Sequence, residues 1–327
     1  MTDERLQQLE AREPPRALRL SRLGYGAAPL GNVYGEIDPD VGIASVHQAI
    51  ALGVTFFDVS PYYGLTRAEE ALGRALVGRR DQVTLCTKAG RDGPDAFDFS
   101  ARHIRESVEQ SLRRLRTDYV DVLLAHDIEF GQPEQILGET IGALERLRAE
   151  GKCRFIGVSA YPLAVLRQVV ATCQVDIALS YCHDLLYNTR LRTELLPLAQ
   201  RRGVTVINAS PLGMGLLSDG GPPAWHPAPQ PLKNACAQAA AFCRERGVSL
   251  AEVALQFSLQ TPGVSSTVVG MATPELVNRN VAALRSQPNH DILRAVRAIL
   301  QPVEGATWPS GRPEWVALEH VAASEKG

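Results

Sequence analysis

No run in the 327 residues is long and apolar enough to cross a bilayer, and the opening Met1-Thr2-Asp3-Glu4-Arg5 is charged where a secretory leader would be apolar. Neither a signal peptide nor a membrane span is expected, and the chain is expected to stay in the cytoplasm. There is no basic block either. The 34 Lys and Arg against 36 Asp and Glu leave a formal net charge of -2, which offers no electrostatic footprint to nucleic acid or an anionic membrane. C-x-x-C pairs are missing. The six cysteines, Cys86, Cys153, Cys173, Cys182, Cys236 and Cys243, are scattered, several of them inside apolar runs. Reduced packing residues are therefore expected, with no disulfide and no metal site. Low-complexity tracts are absent. What is there, 45% hydrophobic and 21% charged residues, suffices to bury a large core, and the length suits one barrel domain as well as two smaller domains.

Residues 1–15 are polar and end at Pro14-Pro15, the edge of an arm expected to be mobile. Residues 16–22 alternate weakly and are expected to form a short strand or hairpin outside the main sheet. Short apolar runs then follow at 23–27, 54–57, 83–87, 119–124, 153–158, 175–179, 204–208 and 266–269. Nearly all are separated by helical stripes, such as Ile43, Val46 and Ile50; Ile104, Val108, Leu112 and Leu115; and Ile136, Leu137, Thr140, Ile141, Leu144 and Leu147. Asp38-Pro39 has the cap-then-proline form of a helix start, and Thr66-Arg67-Ala68-Glu69 and Ser249-Leu250-Ala251-Glu252 have the form of capping boxes. Strand and helix in alternation imply a parallel sheet, and eight units fit a closed (β/α)8 TIM barrel over residues 16–312, with a tail over 313–327. A doubly wound open sheet is the rival. It would place G-x-G-x-x-G after its first strand, and Gly24-Tyr25-Gly26-Ala27-Ala28-Pro29 lacks the third glycine. The small residues there either admit a ligand close to the backbone or mark a tight barrel corner.

The chemistry gathers at strand ends. Asp58 closes the second run, Tyr63 follows on a loop that ends at Gly64, Lys88 closes the third run and His126 the fourth. A phenol has a pKa of about 10 and shuttles protons poorly near neutrality, but an ammonium beside it favours the phenolate. Lys88 is the candidate for that part, Asp58 for holding Lys88, and His126 for hydrogen-bonding the substrate oxygen. Singly, each residue has an ordinary reading as a cap, a packing ring, a solvated charge or a core histidine. On consecutive strand ends they form one constellation. A long Gly/Pro-rich connection, from Ser210-Pro211-Leu212-Gly213 to Pro223-Ala224-Trp225-His226-Pro227, reads as a lid or binding loop.

These residues resemble the aldo-keto reductase superfamily, whose tetrad of Asp, Tyr, Lys and His matches Asp58, Tyr63, Lys88 and His126 in order and context. The resemblance extends from about Leu18 to Gly311. It is strongest to the branch of L-galactose and other aldose 1-dehydrogenases, through Ser60-Pro61-Tyr62-Tyr63-Gly64, His126-Asp127-Ile128-Glu129-Phe130-Gly131, Ser180-Tyr181-Cys182-His183, Gly221-Pro222-Pro223-Ala224-Trp225-His226-Pro227 and Thr307-Trp308-Pro309-Ser310-Gly311. It implies a nicotinamide cofactor lying across the strand-end face, near Gly26, Ala27, Asp58, Ser159, Ser180, Ser210, Leu212, Gly270, Met271, Arg279 and Asn280. Relatives that prefer NADP place a lysine where Gly270 stands and an arginine where Leu276 stands, so NAD is expected, although Arg279 could turn to a 2′-phosphate. Ala160 and Ala209 replace an asparagine and a tyrosine that grip and stack the nicotinamide in much of the superfamily, which points to a looser grip.

The implied reaction is oxidation of the C1 hydroxyl of an aldose, L-galactose or a relative such as L-fucose or D-arabinose, to the aldonolactone. Tyr62, Asp127, His183, Asp184 and Trp225 are candidates for sugar contacts, and Trp308 for a wall of the pocket. Two other readings stand beside it: an NADPH-dependent carbonyl reductase, and a non-catalytic nucleotide-sensing subunit. Monomer and homodimer are both open.

Overall fold

The computed structural model describes residues 18–315. The arm expected over 1–15 and most of the tail expected over 313–327 lie outside the described residues. The strands β1 (Leu23–Gly26), β2 (Phe56–Asp58), β3 (Thr84–Ala89), β4 (Val120–Ala125), β5 (Cys153–Ala160), β6 (Ile177–Tyr181), β7 (Thr205–Ala209) and β8 (Val264–Gly270) pair in sequence order, all parallel, and β8 returns to β1 to close a barrel. Helices α1 (Pro39–Ala51), α2 (Arg67–Ala75), α3 (Ala101–Leu115), α4 (Ile141–Ala149), α5 (Leu163–Thr172), α6 (Leu196–Arg201), α8 (Leu250–Leu259) and α9 (Pro274–Arg285) form the outer ring. Two further helices, α7 (Gln230–Arg244) and α10 (His290–Leu300), are added after β7 and after α9, and they share an apolar cluster with Leu216, Leu217 and Trp308. All six cysteines are buried free thiols. Among the described residues no helix is long and apolar enough to cross a membrane.

Inside the barrel, Phe56, Cys86, Val122, Leu124, Ile177, Leu179, Ile207 and Val268 make an apolar interior cluster. Strand side chains alternate between axis and helix layer. Two residues beyond this cluster on each strand, the axis-facing positions are therefore Asp58, Lys88, His126, Tyr181, Ala209 and Gly270, all at carboxyl ends. Ladder pairing staggers them: Asp58 is opposite Cys86 and Lys88 opposite Leu124, so Lys88 stands two residues beyond Asp58, and His126 two beyond Lys88.

Several local expectations change. Residues 18–22 form no strand. Leu18 and Leu20 pack against the interior cluster, Ser21 Oγ accepts the backbone N–H groups of Thr55 and Phe56 at 3.0 and 3.1 Å, and Arg22 donates to the carbonyls of Val264, Leu259 and Thr261. The weak alternation there belongs to a plug across the amino ends of the strands. Asp38 caps α1 through the N–H groups of Asp40 and Val41, and Ser249 caps α8 through that of Glu252. Thr66 does not cap α2. It stands in the left-handed region at φ 78°, and Glu69, the other half of the expected box, turns inward and accepts from Thr87 Oγ1 at 2.6 Å, Ser111 Oγ at 3.2 Å and Arg114 Nε at 2.7 Å. That buried carboxylate ties α2 and α3 to β3 one residue before Lys88. The α4 stripe is buried at Ile136, Thr140, Ile141, Leu144 and Leu147, with a π turn over Ile136–Thr140. Of the two readings for the first glycines, the tight corner is observed: a Cβ on Gly26 would lie 3.0 Å from the Val269 carbonyl oxygen, and one on Gly24 would lie 2.8 Å from Val268 Cγ2.

Candidate active site

Lys88 is 1% exposed, and its ammonium has four oxygen partners. It donates to both Asp58 carboxylate oxygens at 2.7 Å, to the Val59 carbonyl at 3.0 Å and to the Tyr63 hydroxyl at 3.2 Å. Burial is the largest single influence and works against its charge, but Asp58, with Tyr63 and Cys86, together outweigh it and raise its pKa well above the usual lysine value. The Tyr63 phenol behaves otherwise than its sequence suggests. Burial pushes its pKa up, Lys88 pulls it down, and Asp58 and Asp127 add to the rise, so the phenol stays protonated. An ammonium neutralised at contact distance by a carboxylate cannot by itself produce a phenolate.

His126 meets the Tyr63 ring edge-on at 5.8 Å. Its Nδ1 lies 3.0 Å from Ser60 Oγ, and its Nε2 lies 3.5 Å from Asp127 Oδ2. Burial lowers its pKa to about 3 against the opposing pull of Asp127, so the imidazole is neutral. Asp127 is itself buried and paired with Arg91, whose guanidinium lies 3.9 Å over the Tyr62 ring. Ser159 Oγ accepts the Asp127 backbone N–H at 3.2 Å. A second ring of side chains surrounds this group. Trp308 stacks on Tyr161 at 4.7 Å and sends its backbone N–H to the Tyr161 hydroxyl, while His183 lies 4.8 Å from the Tyr161 ring and is bonded through Nδ1 to the Tyr181 carbonyl. Burial lowers the His183 pKa to about 4. Trp225, 53% exposed, lies 6.0 Å from Tyr34. Glu129 is wholly buried and accepts from Tyr161 N–H, the Tyr181 hydroxyl and Ser310 Oγ; burial and then Asp127 push its pKa up to about 8.

Beside the end of β8 a pocket opens, lined by Leu212, Glu252, Gly270, Leu276, Arg279 and Asn280 among others. Its lining comes from β8, from the two helices that flank β8 and from Leu212. A model of the aldo/keto reductase family matches residues 22–301. The chain belongs to the aldo/keto reductase family. This aldo/keto reductase is 46% identical over 305 residues to L-galactose dehydrogenase of Arabidopsis thaliana, covering 90% of this chain and 95% of that one. It is 30% identical to D-threo-aldose 1-dehydrogenase of a Pseudomonas species, covering 80% and 89%. Among solved structures, the holo form of aldo-keto reductase AKR11C1 from Bacillus halodurans superposes with a TM-score of 0.72 at 27% identity, covering 93% of this chain and all of that one. The aldo/keto reductase is thus an oxidoreductase of a nicotinamide-using family with aldose dehydrogenases among its relatives.

Four of the expected cofactor residues of this aldo/keto reductase, Gly270, Leu212, Arg279 and Asn280, line one pocket beside β8. Three residues fall elsewhere than the sequence suggests. Met271 is fully buried in the main core, its backbone N–H donating to the Gly26 carbonyl at 3.4 Å. Ser180 lies on the helix side of β6, its hydroxyl buried without a hydrogen bond, and Tyr181 takes the axis position. Asp184 is wholly buried and paired through Oδ1 with Arg192 at 2.7 Å. Ser60, Arg91, Tyr161, Tyr181, Glu129 and Tyr34 escaped the sequence reading. Tyr181 was within reach of it, because counting by twos from Leu179 lands there. Arg91 and Glu129 carry no spacing signal, since their partners arrive from other loops.

Proposed function

We propose that the protein oxidises the C1 hemiacetal hydroxyl of an aldose, L-galactose or a related sugar such as L-fucose or D-arabinose, to the aldonolactone, with NAD as hydride acceptor. The observation that carries the proposal is the Tyr63 hydroxyl held 3.2 Å from an ammonium that is itself locked to both oxygens of Asp58. Bound NAD would supply a positively charged acceptor for the hydride leaving C1. In the oxidising direction the Tyr63 phenol first releases its own proton to solvent, a step that Lys88 and the positive charge of bound NAD would favour, and the phenolate then takes the C1 hydroxyl proton; Lys88 orients the oxygen, and Asp58 keeps Lys88 charged and in place. Neutral His126 donates a hydrogen bond to the reacting oxygen. Asp127 with Arg91, Tyr62, His183 and Trp225 surround the sugar, and Trp308 on Tyr161 closes one side.

NAD is preferred because the pocket beside β8 holds the Glu252 carboxylate along with Arg279, and a dianionic 2′-phosphate there meets one cation and one anion in place of paired donors. The NADPH-dependent carbonyl reductase reading has one observation in its favour: burial keeps Tyr63 protonated, the form that donates a proton to a carbonyl. Initial rates separate the two. Purified protein is expected to form NADH from free aldoses at rates well above those of NADPH formation. Failure with every aldose, together with NADPH-dependent reduction of aldehydes, would overturn the proposal.

A further inference from the structure

The His126 ring lies in a pocket where its two nitrogens meet different partners. Nδ1 lies 3.0 Å from Ser60 Oγ, and that oxygen also accepts the Tyr62 backbone N–H at 3.1 Å. Ser60 is fully buried and His126 nearly so. If Nδ1 carried the proton, the Ser60 oxygen would accept two hydrogen bonds and its own O–H would have no acceptor among its hydrogen-bond partners in the described residues, an unfavourable arrangement at a buried site. The ring would also turn the bare Nε2 lone pair toward the Asp127 carboxylate, 3.5 Å away and held in place by Arg91. With the proton on Nε2 both conflicts vanish: Ser60 accepts from Tyr62 and donates to Nδ1, and the side of the ring near Asp127 carries an N–H in place of a lone pair, with no hydrogen bond to that carboxylate to hold it from another oxygen.

We propose that Ser60 is a positioning residue that locks His126 in its Nε2–H tautomer, so that the imidazole presents a donor to the reacting oxygen. The proposal rests on the role given to His126 above, but the tautomer is a property of the protein alone and is measured without turnover. Asp127 supports the same tautomer from the opposite side of the ring. Lys88 and Arg91, the cations that face His126, disfavour the doubly protonated ring. Tyr62 and Tyr63 flank it as rings.

The test is nitrogen NMR of full-length protein labelled with 15N-histidine, with His126 assigned by the signals lost in His126→Gln. In the wild type, Nδ1 is expected at the shift of an unprotonated ring nitrogen and Nε2 at that of a protonated one; the reverse pattern overturns the proposal without any variant. In Ser60→Ala the two tautomers are expected to mix, with kcat lowered roughly fivefold and the dissociation constant for NAD unchanged. A Ser60→Ala protein that keeps the pure Nε2–H pattern would show that Asp127 alone sets the tautomer and would refute the role of Ser60. Lack of activity on all aldoses in wild-type protein with the expected spectrum would count against the dehydrogenase reading and leave the tautomer lock intact.

Discussion

Replacing Lys88 by Met takes the ammonium from a site where it is 1% exposed and leaves the Asp58 carboxylate, 3% exposed, without the two 2.7 Å bonds that hold its charge. Removing one partner of a buried pair costs about 3–5 kcal/mol, chiefly through the charge left behind. A shift of about 2 °C in Tm per kcal/mol is reasonable for a chain of this length, so thermal unfolding of Lys88→Met should begin several degrees early. Asp58→Asn strands the ammonium and should lose stability to a similar degree. Removing both together leaves Asn and Met, neither charged, and the double variant should recover to within about 1–2 kcal/mol of the wild type. Turnover tells the opposite story, because the double variant has no cation beside Tyr63 and should be as inactive as Lys88→Met. Chemical unfolding monitored by far-ultraviolet circular dichroism, with initial rates on the same preparations, gives both halves of the cycle. If Lys88→Met unfolds at the wild-type denaturant concentration, or the double variant is no more stable than the singles, the pair is not the buried charge cluster described here.

Two further outcomes test neighbouring features. Leu276→Arg, which adds a second cation beside Arg279 at the β8 pocket, should lower the dissociation constant for NADP roughly tenfold with little change for NAD, as read by quenching of protein fluorescence. Glu129, whose pKa is raised from 4.5 to about 8, is protonated in the folded protein where the unfolded chain is ionised. Its contribution is therefore fully present below the unfolded value and lost as pH rises between the two, so Glu129→Gln should gain stability relative to the wild type between about pH 5 and 8. Unfolding curves that stay parallel over that range would show that Glu129 is not held protonated.

The barrel was legible because its signals are periodic. Eight apolar runs and the intervening helical stripes are fixed by which face each element buries, and the observed strands overlap every one of those runs. Asp58, Lys88 and His126 were legible for the same reason, since each closes a run, and Tyr63 follows on the loop after Asp58. What escaped depends on partners that the chain brings together from afar. Glu69 looked like half of a capping box, yet Thr87, Ser111 and Arg114 draw it inward, a competition no local pattern reveals. Asp184 looked available beside His183, but it is buried and paired with Arg192. The protonation of Tyr63 was misjudged in the same way: adding Lys88 to a phenol lowers its pKa, but the sequence does not show how far burial and a neutralising Asp58 reverse that effect.

The central claim is that the phenol oxygen of Tyr63, steadied by Lys88, carries the proton of the reaction. Tyr63→Phe deletes that oxygen and keeps the ring against His126. Single-turnover formation of NADH from the preferred aldose should fall at least a thousandfold, on the order of what loss of a general acid–base group removes, while the dissociation constant for NAD stays within about twofold. A Tyr63→Phe protein that forms NADH at near wild-type rates would contradict the account.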